Sequence, residues 1–334
     1  MSKKILMFIL ISLMVKNTAY GVDSSSKSSY KLVTVIKPQF DSVTSFANNG
    51  LATVWSNEKY GIINESGKIV IKPNYELIEE FSDNGLANFV QNSKSGYMNV
   101  TGKVVIKPKY DQAGKFSQNN LAPACMGGWD SKKCGFIGLD GNFVISTKFD
   151  DANEFSSIGL AAVRIKDKWG YVDSNGSIAI KPKYLSAGVF ASNGMAAVAL
   201  YDNVADKQIR GYINKKGELK ISPKFDYDMT SSEKSEFSEI GLAAVQIDSK
   251  WGYIDSSGNF KIKPTFDGAW KFSNEGYAVV MKDYNLYIIN SAGNIILKTN
   301  SRYEKDSNYS FGSNGLVAFS FNRKWGYYRV KRKN

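Results

Sequence analysis

The chain has 334 residues, of which 43% are hydrophobic and 13% aromatic, and its formal net charge is +12. This composition provides enough apolar material for a packed core and excludes a chain that is disordered throughout. The sequence contains 0 histidines, which excludes Ser-His-Asp and Cys-His catalytic arrangements and removes the commonest general base and metal ligand.

Residues 1–21 have the pattern of a secretory signal peptide. Lys3 and Lys4 precede an apolar run of 11 residues, 5–15, which is too short to span a bilayer as a helix. Ala19-Tyr20-Gly21 then supplies the small residues that a signal peptidase requires. We predict cleavage near Gly21/Val22, a secreted or periplasmic protein, and no transmembrane segment after the signal is removed. A short membrane anchor is the alternative.

The remaining chain divides into a serine-rich linker at 22–29 and a repeat domain at 30–334. Cleavage after Gly21 would remove Lys3, Lys4 and Lys16 and no acidic residue, so the net charge would fall by three from +12 to +9. A basic surface favours anionic partners through long-range attraction, or it serves solubility alone.

The dominant feature of the sequence is an internal repeat. A Phe-x-x-x-Gly-Leu-Ala segment recurs eight times, with its glycine or an equivalent residue at 50, 85, 120, 159, 194, 241, 276 and 315. An aromatic-Gly-aromatic element, such as Trp251-Gly252-Tyr253, recurs in step with it. Six of the seven prolines follow an Ile-Lys or Ile-Ser pair at one repeat position: Pro38, Pro73, Pro108, Pro182, Pro223 and Pro264.

These motifs resemble the WG-repeat family, which is named for its Trp-Gly pair. The resemblance covers residues 31–330, and the seventh unit has Asn285-Leu286 in place of Trp-Gly. It implies a bacterial, often exported repeat protein, in a family whose molecular function is mostly undefined.

Each unit is predicted to be all-β. Leu160 to Ile165 and Lys168 to Val172 form a hairpin around a two-residue turn. Asp173-Ser-Asn-Gly176 then suits a type I turn whose fourth residue is left-handed. A third strand ends at the proline, because proline cannot donate to a sheet ladder. The following stretch of about nine residues is either a short fourth strand or an irregular connector.

The two ends of the repeat domain complement each other. The last unit stops without an Ile-Lys-Pro strand, whereas residues 30–40 form such a strand with no preceding hairpin. If the ends meet, eight complete units form a closed β-propeller-like ring, which removes exposed sheet edges. An open β-solenoid is the alternative.

Nothing in the sequence indicates catalysis, a cofactor or a metal site. The acidic residues recur at one repeat position, which suits turns and caps better than a single catalytic pair; they are Asp41, Glu76, Asp111, Asp150, Asp226 and Asp267. We therefore predict that the protein is not an enzyme. A carboxylate-based hydrolase is the remote alternative.

Tryptophans are the candidate ligand contacts. Trp55, Trp169, Trp251 and Trp325 lie on the first hairpin of their units, where they either stack on a ligand or pack between units. Trp129 lies in an insertion, 126–133, off the repeat pattern, and is the better candidate for a specific contact. Exposed lysines before the prolines would also make one rim basic: Lys37, Lys72, Lys107, Lys181 and Lys263.

The function predicted from these features is a monomeric, exported protein-interaction or ligand-binding module. Its partner would be an unknown protein, or an anionic or glycan surface outside the cytoplasm, and not a nucleic acid. The alternative is a glycan-binding protein of the cell envelope.

Cys125 and Cys134, the only two cysteines, are predicted to form a disulfide. Alignment of the hairpins makes Cys125 equivalent to Arg164 and Cys134 equivalent to Trp169, and these two positions are directly opposite each other. Cross-strand Cβ atoms lie about 4.5–5.5 Å apart, and disulfides persist outside the cytoplasm. Two free thiols are the alternative.

Overall fold

The computed structural model describes residues 28–128, 131–227, 235–304 and 307–333. Within these ranges the chain forms 30 β-strands and no α-helix, which confirms the all-β class. No helix of the described residues is long and apolar enough to cross a membrane. The predicted signal peptide at 1–21 and most of the linker at 22–29 lie outside the described residues.

The strands form eight antiparallel sheets, and these are the blades of a closed ring. The predicted β-propeller is therefore confirmed, and the open solenoid is wrong. The first four blades have four strands each, listed from the innermost outwards. Blade 1 contains β2 (Ser42–Val43), β3 (Leu51–Ser56), β4 (Lys59–Asn64) and β5 (Ile69–Tyr75). Blade 2 contains β6 (Leu77–Ile78), β7 (Leu86–Gln91), β8 (Lys94–Asn99) and β9 (Val104–Tyr110). Blade 3 contains β10 (Gln112–Ala113), β11 (Ala122–Met126), β12 (Lys133–Ile137) and β13 (Phe143–Phe149). Blade 4 contains β14 (Asp151–Phe155), β15 (Ala161–Ile165), β16 (Lys168–Val172) and β17 (Ile178–Tyr184).

The other four blades follow the same order, with three described strands in blades 6 and 8. Blade 5 contains β18 (Ser186–Ala187), β19 (Met195–Asp202), β20 (Lys207–Asn214) and β21 (Leu219–Asp226). Blade 6 contains β22 (Ala243–Ile247), β23 (Lys250–Ile254) and β24 (Phe260–Phe266). Blade 7 contains β25 (Gly268–Ala269), β26 (Tyr277–Lys282), β27 (Asn285–Asn290) and β28 (Ile295–Arg302). Blade 8 combines β29 (Leu316–Phe321) and β30 (Lys324–Arg332) with the N-terminal β1 (Tyr30–Phe40).

The register of the central hairpins is the predicted one. In blade 1 the turn residues Asn57 and Glu58 have φ of 51° and 61°, as a two-residue type I′ turn requires. The predicted partners face each other in five blades: Trp55 with Tyr60, Cys125 with Cys134, Arg164 with Trp169, Gln246 with Trp251, and Ser320 with Trp325.

A bulge explains why the repeated glycine and proline occur together. In blade 6 Trp251 pairs with Phe266 and Tyr253 pairs with Ile262, so the outer strand has two extra residues opposite Gly252. A Cβ at Gly252 would lie 2.5 Å from the oxygen of Ile262 and 2.7 Å from the nitrogen of Pro264. Only glycine permits this approach, and proline is tolerated in the bulge because the ladder is already interrupted there.

Buried tyrosines connect each blade to the next one. The Tyr253 hydroxyl in blade 6 donates to the carbonyl of Trp270 in blade 7 at 2.8 Å. Equivalent hydrogen bonds join Tyr97 to Gly114 and Tyr171 to Gly188. The apolar core consequently lies between neighbouring blades, as a series of clusters around the ring.

The junction between blades 8 and 1 repeats these contacts. Strand β1 pairs with β30 from Tyr30 opposite Arg332 to Phe40 opposite Trp325. The Tyr327 hydroxyl donates to the carbonyl of Thr44 in blade 1 at 2.7 Å. The N-terminal strand thus completes the last blade, as the sequence predicted.

Candidate functional site

The repeated acidic residues stabilise turns. In blade 7 the Oδ2 of Asp267 accepts a hydrogen bond from the backbone N–H of Asp283 at 2.7 Å. Its Oδ1 lies 2.6 Å from the Lys250 ammonium of blade 6, which holds the pKa of the Asp267 carboxyl below its usual range. This pattern of a lysine and a turn N–H recurs at Asp111 and Asp41. The repeated carboxylates therefore join adjacent blades.

The predicted tryptophans are distributed around the ring. Trp251 and Trp325 are 5% and 4% exposed and belong to apolar clusters between blades. Trp55 and Trp169 are half-buried. Trp325 also borders a cavity of about 300 Å³ beside the innermost strand of blade 1. Trp129 lies outside the described residues.

The tryptophan position changes in blades 2 and 3, and a cavity lies there. Where blade 6 has Trp251, blade 2 has Ser95 and blade 3 has Cys134, which are both much smaller side chains. A cavity of about 630 Å³ lies where the innermost strands of blades 2, 3 and 4 meet, and Ser95 and Cys125 line it. This volume is typical of small-molecule sites.

The cavity wall is rich in acidic residues. Five acidic residues and one lysine, Lys115, line it; the acids are Glu79, Glu80, Asp111, Asp151 and Glu154. Glu80 and Glu154 are exposed, so the cavity is open to solvent on that side. The Lys115 ammonium lies 3.3 Å from the carboxylate of Glu80.

Glu79 is the acidic residue whose ionisation is most altered. Burial, and secondarily the negative charge of Glu154 in blade 4, raise the pKa of the Glu79 carboxyl to about 7. Among the described residues no hydrogen bond or ion pair reaches the Glu79 side chain. Desolvation and a like charge both favour the protonated form, so Glu79 titrates in the neutral range.

Asn88 is a second polar group of the cavity that lacks a full set of partners. This side chain is 2% exposed and lines the cavity. Its Nδ2 donates to the carbonyl of Ala113 at 2.6 Å, whereas its Oδ1 has no hydrogen-bond partner among the described residues. The equivalent residues in blades 4, 5 and 6 are alanines, Ala162, Ala197 and Ala244.

The two cysteines lie beside this cavity. Cys125 pairs directly with Cys134 across the β11–β12 hairpin, and their sulfur atoms are 2.06 Å apart. The hairpin loop carries Lys132, whose ammonium lies 3.1 Å from the Gln112 side-chain oxygen and 3.5 Å from the carboxylate of Asp151. The inserted loop is therefore attached to two residues that line the cavity.

The site residues predicted from the sequence do not include the cavity residues Glu79, Asn88 and Ser95. Each was visible as a departure from the repeat in the aligned units, because Glu79 is part of a Glu-Glu pair, Asn88 replaces alanine and Ser95 replaces tryptophan. The repeats themselves could not show that these three departures lie around one cavity, since that depends on how neighbouring blades pack.

Two solved structures share the fold at low sequence identity. One is a crystal structure of a eukaryotic initiation factor, with a TM-score of 0.51 and 12% identity over 82% of this chain and 90% of that one. The other is Sqt1 of Saccharomyces cerevisiae, with a TM-score of 0.54 and 11% identity over 90% of this chain and 98% of that one. At this identity the likeness is one of fold alone. No curated protein sequence matches the chain significantly.

A family model described as WG containing repeat matches the chain seven times. The matches cover residues 33–60, 60–94, 96–128, 135–169, 169–203, 211–251 and 251–285. Each match runs from the outer strands of one blade into the inner strands of the next, beginning with β1 of blade 8 and ending in the central hairpin of blade 7. The chain therefore belongs to the WG containing repeat family, and its repeats form an eight-bladed β-propeller.

Proposed function

We propose that this protein is an exported, non-catalytic β-propeller that binds a partner molecule in the cavity between blades 2, 3 and 4. One observation carries the proposal: residues that depart from the repeat surround a single cavity. Asn88 and Ser95 both line it, at the positions where blades 4, 6 and 8 have alanine and tryptophan.

Repeat architecture supports this interpretation. In a protein built from equivalent units, the repeated residues are those that each unit needs in order to fold and stack. Glycine, proline and aspartate have such roles here, in the bulge and in the turns between blades. Asn88 donates to the carbonyl of Ala113 in blade 3, but its amide oxygen has no partner among the described residues, and burying an unpaired amide oxygen costs about 1–3 kcal/mol. A cavity that retains such a group is better explained by binding than by stability.

A non-catalytic role agrees with the use of the acidic residues. Asp41, Asp111, Asp150 and Asp267 hold lysines or turn N–H groups, so they are not free to transfer protons. The lysines before the prolines are exposed on outermost strands. We expect this basic edge to be attracted to anionic surfaces of the cell envelope, in addition to the partner bound in the cavity.

Site-specific crosslinking in the producing cell tests the proposal. A photo-crosslinking amino acid is placed at Gln112, which is exposed and lines the cavity. A matched probe is placed at Val144, which is 63% exposed on β13, the outermost strand of the same blade. We expect a discrete adduct from position 112 and none from position 144. Adducts of equal yield at both positions would contradict the proposal.

A cavity-filling variant connects the adduct to the cavity. Ser95→Trp restores the tryptophan of blades 4, 6 and 8 and should abolish the adduct while the fold is retained. Tyr60→Trp is the control, because it introduces tryptophan at the equivalent position of blade 1, away from the cavity. A glycan array probed with wild type and Ser95→Trp shows whether the partner is a carbohydrate.

N-terminal sequencing tests export, since an intact Met1 in a cytoplasmic fraction would contradict it.

A further inference from the structure

The charges around the cavity are unevenly compensated. Of its acidic residues, Glu80 pairs with Lys115, Asp111 pairs with Lys94, and Asp151 contacts Lys132 and Arg164. The side chain of Glu79 has no hydrogen-bond or ion-pair partner in the described part of the chain. A carboxylate in this position is stabilised by a cation that enters from solvent.

The uncharged groups of the wall restrict the kind of cation. The amide oxygen of Asn88 has no donor and is buried within the cavity wall, so a ligand that donates hydrogen bonds would satisfy it once the side chain rotates towards the cavity. Leu77, Val90 and Pro123 provide apolar surface in the same cavity, which would accommodate methylene groups. A ligand that matches both features has a donor-rich positive head and an alkyl stem.

A multivalent metal ion fits this wall poorly. Among the described residues the one group of three possible ligands within 4.8 Å of one another consists of Cys125, Cys134 and Asp151, and the two sulfur atoms of that group are bonded to each other. The carboxylates of Glu79 and Glu154 belong to no such group, so they are too dispersed to surround one ion. An ammonium group, in contrast, has three donors on one nitrogen and needs only two or three acceptors.

We propose that the cavity between blades 2, 3 and 4 binds an alkylammonium group, with Glu79 and Asn88 as the acceptors of its N–H donors. The group belongs either to a free aliphatic amine or to a lysine side chain of a partner. This inference rests on the proposed function and specifies the chemistry of the same site.

The proposal predicts a pH dependence of binding. The titratable groups around Glu79 are Tyr97 on its own blade, Glu80 on its own segment, Lys115 and Asp111 of blade 3, and Glu154 and Asp151 of blade 4. Because the pKa of Glu79 is about 7, its carboxylate is mostly protonated at pH 6. The amine stays charged throughout this range, so the affinity should fall about tenfold from pH 8 to pH 6.

Titration calorimetry with small probes tests the site directly. The probes are pentylamine and Nα-acetyl-lysine N-methylamide, with 1-pentanol and the Nε-acetylated lysine derivative as neutral controls. We expect saturable binding of at least one amine and of neither control. Binding of pentylamine alone identifies a free amine as the ligand, and equal or tighter binding of the lysine derivative identifies a partner's lysine. Equal binding of 1-pentanol, or no binding of either amine at pH 8, would overturn the proposal.

Two variants connect binding to the named residues. Glu79→Gln and Asn88→Ala should each weaken amine binding at pH 8, the first by at least tenfold. Glu58→Gln is the control, because it removes an exposed acid from a turn of blade 1. Unchanged affinity in Glu79→Gln would overturn the inference. If the Gln112 adduct also persists in Glu79→Gln, the proposed function stands and only the ligand chemistry is wrong.

Discussion

Blades 2 and 6 share the central hairpin, the outer strand and the bulge, but they differ in the residue before the repeated glycine. In blade 6 Trp251 is 5% exposed and packs in the cluster shared with blade 7. In blade 2 the equivalent residue is Ser95, which is 4% exposed and lines the cavity beside blade 3. The backbone pairing is the same, since Ser95 faces Tyr110 as Trp251 faces Phe266. The comparison indicates that the repeat tolerates loss of its large side chain and that a cavity can lie beside the smaller one.

If the ring is closed, blades 2 and 6 belong to one cooperative folding unit. Opening the ring should therefore have the largest effect on stability. Deletion of β1 removes Leu32, Ile36 and Phe40, which are 4%, 3% and 5% exposed. Each buried apolar side chain contributes about 1.5–3 kcal/mol, and blade 8 also loses its outer strand. We expect loss of the cooperative thermal transition in circular dichroism. A deletion mutant with wild-type melting would contradict the closed ring in solution.

Truncation of Trp251 in blade 6 and of Ser95 in blade 2 should have clearly different effects on stability. Trp251→Ala empties a filled site, and large-to-small changes of this kind cost about 3–5 kcal/mol. Ser95→Ala removes little volume and should change the free energy of unfolding by less than about 1 kcal/mol. Urea denaturation of both variants measures the difference. Equal losses would contradict the view that blade 2 is stable without a large side chain.

The part of the molecule that sequence predicts well is the part that repeats. Six prolines at one position and eight recurring segments determined the strand order, the hairpin register and the junction of the two ends. The register predicted from Arg164 and Trp169 applied without change to Cys125 and Cys134, although the loop between the two cysteines is longer than the two-residue turn of blade 4.

The candidate site was harder to predict because it is formed between repeats. Glu79 and Glu154 are 75 positions apart in sequence, yet the charge of one raises the pKa of the other. A pairing of this kind depends on the tilt and spacing of neighbouring blades, about which the pattern within one repeat contains no information. The tryptophans were predicted as ligand contacts because they recur, whereas recurrence marks packing positions.

The disulfide occupies in blade 3 the position that tryptophan occupies in blade 6. It closes a loop of sequence separation 9, for which the chain-entropy model gives about 2–3 kcal/mol. A Cys125→Ser/Cys134→Ser double variant should unfold at lower urea concentration by that amount. Wild type under reducing conditions should behave in the same way. Two alkylatable thiols in the native protein would refute the bridge.

Glu79→Gln should stabilise the fold, whereas the preceding variants destabilise it. The pKa of Glu79 is raised from 4.5 to about 7, so the native state binds its proton more tightly than the unfolded state. Its ionisation therefore destabilises the protein progressively as pH rises from about 4.5 to 7. The variant should gain on the order of 1–2 kcal/mol at pH 8 and nothing at pH 4. A gain that is independent of pH would show that the cause is not ionisation.

Asp267→Asn should change the free energy of unfolding least, and its pH dependence should be the reverse of that of Glu79→Gln. Asp267 accepts the Asp283 N–H and pairs with Lys250, and its lowered pKa means that the native state favours the ionised form. Its contribution is present above the unfolded pKa near 4 and is lost as pH falls through the lower native value. We expect a loss of about 1 kcal/mol at pH 7, vanishing towards pH 2. Lys250→Met is the matched control, and it should cost less because Asp267 keeps its bond to the turn. A larger loss in Lys250→Met would show that the ion pair between blades, and not the turn, is the reason for the repeated aspartate.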